Sequence, residues 1–444
     1  MDEGLLSPVT ARTSDAASDS AVLVALVEAE AALTRALAST GAAPRSAGLA
    51  VGGLDPEWAA TLDVAALARD AVAGGNPVIP LIPLLKQRVA EFDADAAAWI
   101  HRGATSQDIL DTALMVVARS ASERAVESLG RAARALADLA ERHRDDPAAA
   151  RTLTQHAVPT TIGARAAGWL RGIVATRRDL SDAAAALPAQ LAGAGGTLAS
   201  FVELFGTDVA ASLPAAFAAE LGLAAPDAPW HTDRRPVTRL GDALAGVIAS
   251  TGVFAGDVAT LSRTEIAEVS VAGGGGSSAM PQKQNPVEAV LIRSAALRAP
   301  GLAAQLQLSA GLALDERPAG AWHAEWPALR DLLQLAVGTA ALAEDLASGL
   351  VFDVEGARAN LGITGGLIVS ERLGIVLTPL VGKARFDALI REASGGADLA
   401  GLVRALPEAS VLDVDDLVDP ARYTGLAGQL VDAAVRRARQ EGIR

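Results

Sequence analysis

Gly273-Gly274-Gly275-Gly276-Ser277-Ser278-Ala279-Met280-Pro281-Gln282-Lys283-Gln284-Asn285-Pro286 is the stretch on which the reading turns. Four consecutive glycines do not stay in a helix, since each costs about 1 kcal/mol there relative to alanine. They predict a loop between two long helices, over about 237–270 and 287–314. Hydroxyls, an ammonium and an amide follow the glycines at once, and Pro286 suits the first turn of the next helix. A loop that closes over a small molecule, excludes water and brings its own polar groups has this composition. A flexible linker also uses Gly and Ser, but it has no need of Met-Pro-x-Lys-x-Asn-Pro.

Outward from this loop the sequence is helical. Hydrophobic residues make up 51% of the 444 and aromatics only 3%, so the apolar content is mostly Ala, Leu and Val. Ala and Leu lose little side-chain entropy in a helix. The spacing predicts a first helix over 18–40 and longer ones over 106–143, 160–187, 237–270 and 287–314, well beyond the usual length of about 11–12 residues. Helices of that length belong to a bundle or an oligomer core. No strand alternation of any length stands out. Gly and Pro break the chain into short pieces over 52–83 and again after about 350. The expected outline is all-α in three parts: an N-terminal helical domain over 1–105, a central long-helix bundle over 106–345, and a C-terminal helical domain over 346–444.

Charge and composition exclude several classes. A net charge of −14 argues against nucleic acid, whose phosphates call for a basic surface. With no cysteine, disulfides and thiolate chemistry are ruled out. No His/Asp/Glu cluster has ligand spacing, so no metal and no cofactor are expected. No run of eighteen or more apolar residues is free of charges and breakers, and residues 1–20 do not read as a secretory signal; a cytoplasmic protein with no membrane span is expected. An anionic substrate would need a site that gathers its own cations against the field of the whole molecule.

Two further segments carry chemistry. His101-Arg102-Gly103-Ala104-Thr105-Ser106-Gln107-Asp108 leads into a long helix, and the free N–H groups there suit a carboxylate. Thr105 and Ser106 equally suit ordinary N-capping. In Arg151-Thr152-Leu153-Thr154-Gln155-His156-Ala157, His156 reads either as an acid–base group or as a half-buried structural histidine at a helix start.

Gly-Ser-Ser-x-Met-Pro-x-Lys-x-Asn-Pro resembles the signature of the fumarase/aspartase superfamily, and the two other segments resemble its remaining regions in the same order. The resemblance implies three-domain helical subunits. It also implies a homotetramer whose pooled central helices form the core, with each active site drawn from three subunits and a small polycarboxylate as substrate. The superfamily's lyases place a histidine directly after Arg-Thr, where this chain has Leu153, and only five histidines are present, none before His101. Gly75-Asn76-Pro77-Val78-Ile79-Pro80-Leu81, Gly168-Trp169-Leu170 and Glu316-Arg317-Pro318-Ala319-Gly320-Ala321-Trp322-His323-Ala324-Glu325-Trp326 are similar to the 3-carboxy-cis,cis-muconate cycloisomerase subgroup. That subgroup closes a lactone in protocatechuate catabolism. The alternative is an adenylosuccinate- or argininosuccinate-type lyase that releases fumarate.

By the resemblance, Ser277 carries the proton and His156 is a second acid–base candidate. Lys283 and Asn285 stabilise the carboxylate beside the reacting carbon, Thr105 and Ser106 hold another, and Gln155 orients the substrate. Arg317 and His323 are candidates for a third carboxylate. Gln282 and Gln284 depart from the usual His and Arg, and Ala150 from the usual Gly.

Overall fold

The computed structural model describes residues 4–272, 275–276, 280 and 283–443. Helix dominates, and the described strands form three two-stranded pairs. Helix α1, Asp19–Ser39, starts where the Ser18 hydroxyl accepts from the Ala21 N–H at 3.1 Å. It buries Leu26, Val27, Leu33 and Leu37 and ends before Gly41, whose φ of +80° is the left-handed turn that glycine enters without a Cβ clash. Helix α2 is Val78–Ala90, and α3, Ser106–Arg142, runs unbroken for 37 residues, about 55 Å. Helices α4, Ile162–Ala185, and α5, Arg235–Leu261, follow, then α6, Val287–Gly311, and α7, Ala321–Gly349.

Three features depart from the sequence expectation. The helix expected over 237–270 stops at Leu261, because Glu268 is drawn into a buried ion cluster and Val269–Val271 (β3) pairs antiparallel with Leu350–Phe352 (β6). The 29-residue α7 was not singled out, its start being masked by large aromatics and by Pro327, which lies inside the helix. Residues around His156 form a hairpin, not a helix start: β1, Pro147–Thr152, pairs antiparallel with β2, Gln155–Thr161. Its two turn residues, Leu153 and Thr154, have φ of +49° and +75°. Positive φ at both central residues matches the right-handed twist of the strands, and Asn-Gly is the usual way to obtain it. Leu-Thr gave no such signal.

The chain divides into two compact units. The first comprises Met1–Glu127, Thr176–Ala249 and Ser294–Ala341; in it α1 packs against the helices Arg45–Ala50 and Thr207–Leu221, and Ile109, Leu114, Leu240, Leu329 and Leu332 are buried. The second comprises Ser128–Ala175, Ser250–Arg293 and Leu342–Arg444. There Trp169 stacks on Phe352 at 6.2 Å, and its indole N–H donates to Asp257 at 2.7 Å. A separate cluster of this unit, including Leu373, Leu377 and Val403, forms the core of the C-terminal segment.

Among the described residues α5 alone is long and apolar enough to cross a membrane, with a mean hydropathy of 1.5. Arg239, Asp242 and Asp257 interrupt it, while Val247, Ile248, Phe254 and Val258 are buried within the protein.

Candidate active site

In the first unit the start of α3 organises the site. Asp108 lies three residues after Thr105, so its carboxylate reaches back to accept from the Thr105 N–H at 3.0 Å, one half of a capping box. The same fully buried carboxylate accepts from the N–H groups of Ala192 and Gly193 at 2.9 and 3.0 Å and lies 2.9 Å from His231 Nε2. Asp108 thus ties the 101–108 segment to the loop that carries Ala192 and Gly193. Thr105 is buried, whereas Ser106 opens the helix and is half-buried.

Arg317 meets this segment directly: its Nη2 donates to the Thr105 hydroxyl and, at 3.4 Å, to the Ala194 carbonyl. Among the described residues the buried Arg317 Nε has no hydrogen-bond partner. A guanidinium with unused donors beside a hydroxyl is suited to a carboxylate.

One turn deeper, α3 supplies Asp111 to a buried ion cluster. Arg234 donates from Nη1 and Nη2 to Asp111 at 2.7 and 3.0 Å, and from Nη2 and Nε to Glu325 at 2.6 and 3.1 Å. The Trp322 indole donates to Asp111 at 2.8 Å and Gln107 Nε2 donates to it at 3.2 Å. Burial pushes the Glu325 carboxyl above the usual range, against the opposing pull of Arg234. This cluster anchors the start of α7 to α3. His323 is exposed, flanked by the rings of Trp322 and Trp326 at 5.4 and 4.6 Å, and lies 2.9 Å from the Gly75 carbonyl. The Gly75-Asn76-Pro77 and 316–326 motifs, far apart in sequence, therefore meet.

In the second unit His156 sits on β2 opposite Arg151. Glu268, 1% exposed at its side chain, receives Arg151 and Arg165, each with a contact at 3.1 Å, and Asn360 at 2.8 Å. Burial, and then the Arg151 charge, holds the His156 imidazole below its usual pKa, with Glu268 opposing. Its Nδ1 is buried without a partner. A neutral histidine with an unused ring nitrogen is equipped to accept a proton. Gln155 is exposed beside the hairpin turn and donates to the Thr154 hydroxyl at 3.3 Å.

Gly275–Gly276 (β4) pairs with Gln284–Asn285 (β5), so the glycine loop returns on itself before α6. Lys283 and Asn285 line one cleft of about 620 Å³ in this unit, together with Ser270 and Pro286. Neither Gln155 nor His156 lines it. Ser277 lies outside the described residues. Within one unit, then, Thr105 joins Arg317; within the other, Lys283 joins Asn285 while His156 stands in its own cluster. Asp111, Arg234 and Glu268 were not recognised from sequence, and Asp108 and Glu325 were read only as members of their motifs; a charged residue gives no sign there of which partner it will find. Among the described residues no three His, Cys, Asp or Glu side chains converge as a metal site.

The model of a family described as "Lyase" matches residues 8–301. The chain belongs to this lyase family of the fumarase/aspartase superfamily. Nitrosuccinate lyase of Streptomyces davaonensis is 49% identical, covering 98% of this chain and 95% of that protein. The 3-carboxy-cis,cis-muconate cycloisomerase of Pseudomonas aeruginosa is 39% identical, covering 94% of this chain and 92% of its own. Among solved structures, 3-carboxy-cis,cis-muconate lactonizing enzyme from Pseudomonas putida superposes with a TM-score of 0.87 at 34% identity, over 96% of both chains. The all-α fold of this lyase-family enzyme is therefore that of the superfamily.

Proposed function

We propose that the protein eliminates nitrite from nitrosuccinate, leaving fumarate. The observation that carries this reading is the 49% identity to a nitrosuccinate lyase along 98% of the chain, against 39% for the cycloisomerase of Pseudomonas aeruginosa. It differs from the lactonisation expected from the motifs, but both reactions work on carbons beside a carboxylate. In the elimination a base takes a proton from the carbon next to one carboxylate. The electron pair becomes the new double bond, and nitrite leaves from the neighbouring carbon with its own pair. The charge that develops on that carboxylate calls for fixed donors.

Ser277 is the proposed base on the loop, with Lys283 and Asn285 holding the carboxylate that gathers charge. Thr105, Ser106 and Arg317, expected from the motifs to hold a carboxylate, hold the nitro group in this reaction, Gln155 and His323 orient the molecule, and His156 is the second acid–base group. Gln282 and Gln284, in place of the usual His and Arg, leave two fewer cations beside the loop. That suits two carboxylates and a nitro group better than three carboxylates.

Lactonisation of 3-carboxy-cis,cis-muconate is the second reading, favoured by the 316–326 string and the TM-score of 0.87. The discriminating experiment offers both substrates to the purified protein. Nitrite and fumarate in equal amounts, with the muconate diene absorbance unchanged, is the expected result. Loss of the diene without nitrite release would reverse the assignment.

A homotetramer with sites shared between subunits is part of the proposal, with a three-domain subunit divided near residues 105 and 345. Val290, Leu297 and Leu308 on α6 are 52%, 85% and 62% exposed. Spacings of seven and eleven residues put them on one stripe of the helix. An apolar stripe of this kind is suited to a helix of another subunit.

A further inference from the structure

The cleft that holds Lys283 and Asn285 carries two more cations that no motif identified. Arg263 follows the end of α5, and Arg293 lies in the second turn of α6; both are exposed and both line the cleft. Neither guanidinium, nor the Lys283 ammonium, has an ion-pair or side-chain hydrogen-bond partner among the described residues. Elsewhere arginines find carboxylates readily, as Arg151, Arg165, Arg234 and Arg372 do. Among the described residues that line the cleft, three cations face one carboxylate, Asp353, which is already engaged as the cap accepting the Gly356 N–H at 2.9 Å. Three like charges drawn together in a chain of net charge −14 repel one another and lack neutralising neighbours. Pro286 also lines the cleft, so the N-terminal end of the 25-residue α6 adds its positive dipole end.

We infer that Arg263 and Arg293 form, with Lys283, a binding site for a dicarboxylate. The two planar forks suit carboxylate oxygens, and Ser270 and Asn285 add uncharged polar groups to the same wall. A volume of about 620 Å³ exceeds what a four-carbon diacid needs, so the cleft admits the molecule with water around it. The inference rests on the reading of Lys283 as a carboxylate holder. It adds the two residues that would select a doubly charged ligand over a singly charged one.

The test is calorimetric titration of the full-length protein with succinate, and with propionate as the singly charged comparison. Wild type, Arg263→Gln, Arg293→Gln, the double variant and Arg45→Gln are compared. Arg45 is exposed and does not line the cleft, so its variant removes the same charge elsewhere. Succinate should bind wild type more tightly than propionate does. Each single cleft variant should weaken succinate binding about tenfold and the double variant about a hundredfold, as the loss of one and then two charge-assisted contacts requires. Arg45→Gln should bind as wild type. Succinate binding unchanged in the double variant, or weakened equally by Arg45→Gln, would overturn the site, as would wild type that prefers propionate. Nitrite release is assayed in parallel. Arginine-dependent succinate binding without nitrite release would sink the proposed reaction and leave the site standing. Turnover with binding indifferent to both arginines would do the reverse.

Discussion

Arg317 reaches across 212 residues of sequence to donate a hydrogen bond to the hydroxyl of Thr105 at the start of the longest helix. The contact fixes the direction of a guanidinium whose Nε has no hydrogen-bond partner among the described residues. Arg317→Gln should therefore raise KM about tenfold or more, since the substrate loses a charge-assisted contact. Steady-state kinetics on the substrate that the protein turns over would check this. An unchanged KM would make Arg317 a cap on Thr105 and nothing more.

Among the described residues Arg234 is the only cation paired with Asp111 and Glu325, and all three side chains are 1% exposed or less. Arg234→Met should destabilise the first unit by about 3–5 kcal/mol, because it leaves two buried carboxylates uncompensated. Arg234→Lys should recover only part of this, since one ammonium cannot reproduce two forked contacts. Thermal unfolding followed by circular dichroism should rank wild type above lysine and lysine above methionine.

His156 is held below its usual pKa by burial and by Arg151. If it accepts the proton during turnover, kcat/KM should be flat through neutral pH and fall only on acidification below the ordinary histidine value of about 6.5. His156→Gln should remove that acid limb along with most of the rate. A variant with full activity and an unaltered profile would make His156 structural.

The His101 pair has the opposite sign. Burial disfavours its charged form, but Glu30, 2.6 Å from Nδ1 and fully buried, outweighs this, and the folded-state pKa is raised. A raised pKa gives stability that is complete below the unfolded value near 6.5 and is lost as pH rises through the folded value. The melting temperature should therefore decline as pH rises above about 6.5. His101→Gln should flatten that slope.

Much of this was legible in the sequence, for reasons that differ by residue. The glycine loop was readable because four glycines and Pro286 have strong local consequences, and the long helices because Ala and Leu repeat at helical spacing. Thr105 and Arg317 were each recognisable by motif, although nothing local told that one would donate to the other. The Leu153–Thr154 turn was hidden because neither residue favours positive φ, and the strands it joins are short. The buried ion clusters were hidden for another reason. Asp111, Arg234 and Glu325 look like any surface charges until the fold removes water from around them. Arg263 and Arg293 are known as a pair only through the cleft that they share.

The tip of the hairpin has an evolutionary consequence. Leu153, where the resemblance to superfamily lyases led us to expect a histidine, is 96% exposed on a backbone already bent to positive φ. Among the described residues almost nothing covers it, so exchanging its side chain disturbs no core and demands no compensating change. A single codon step at this point would therefore add a proton carrier and leave the surrounding architecture as it stands.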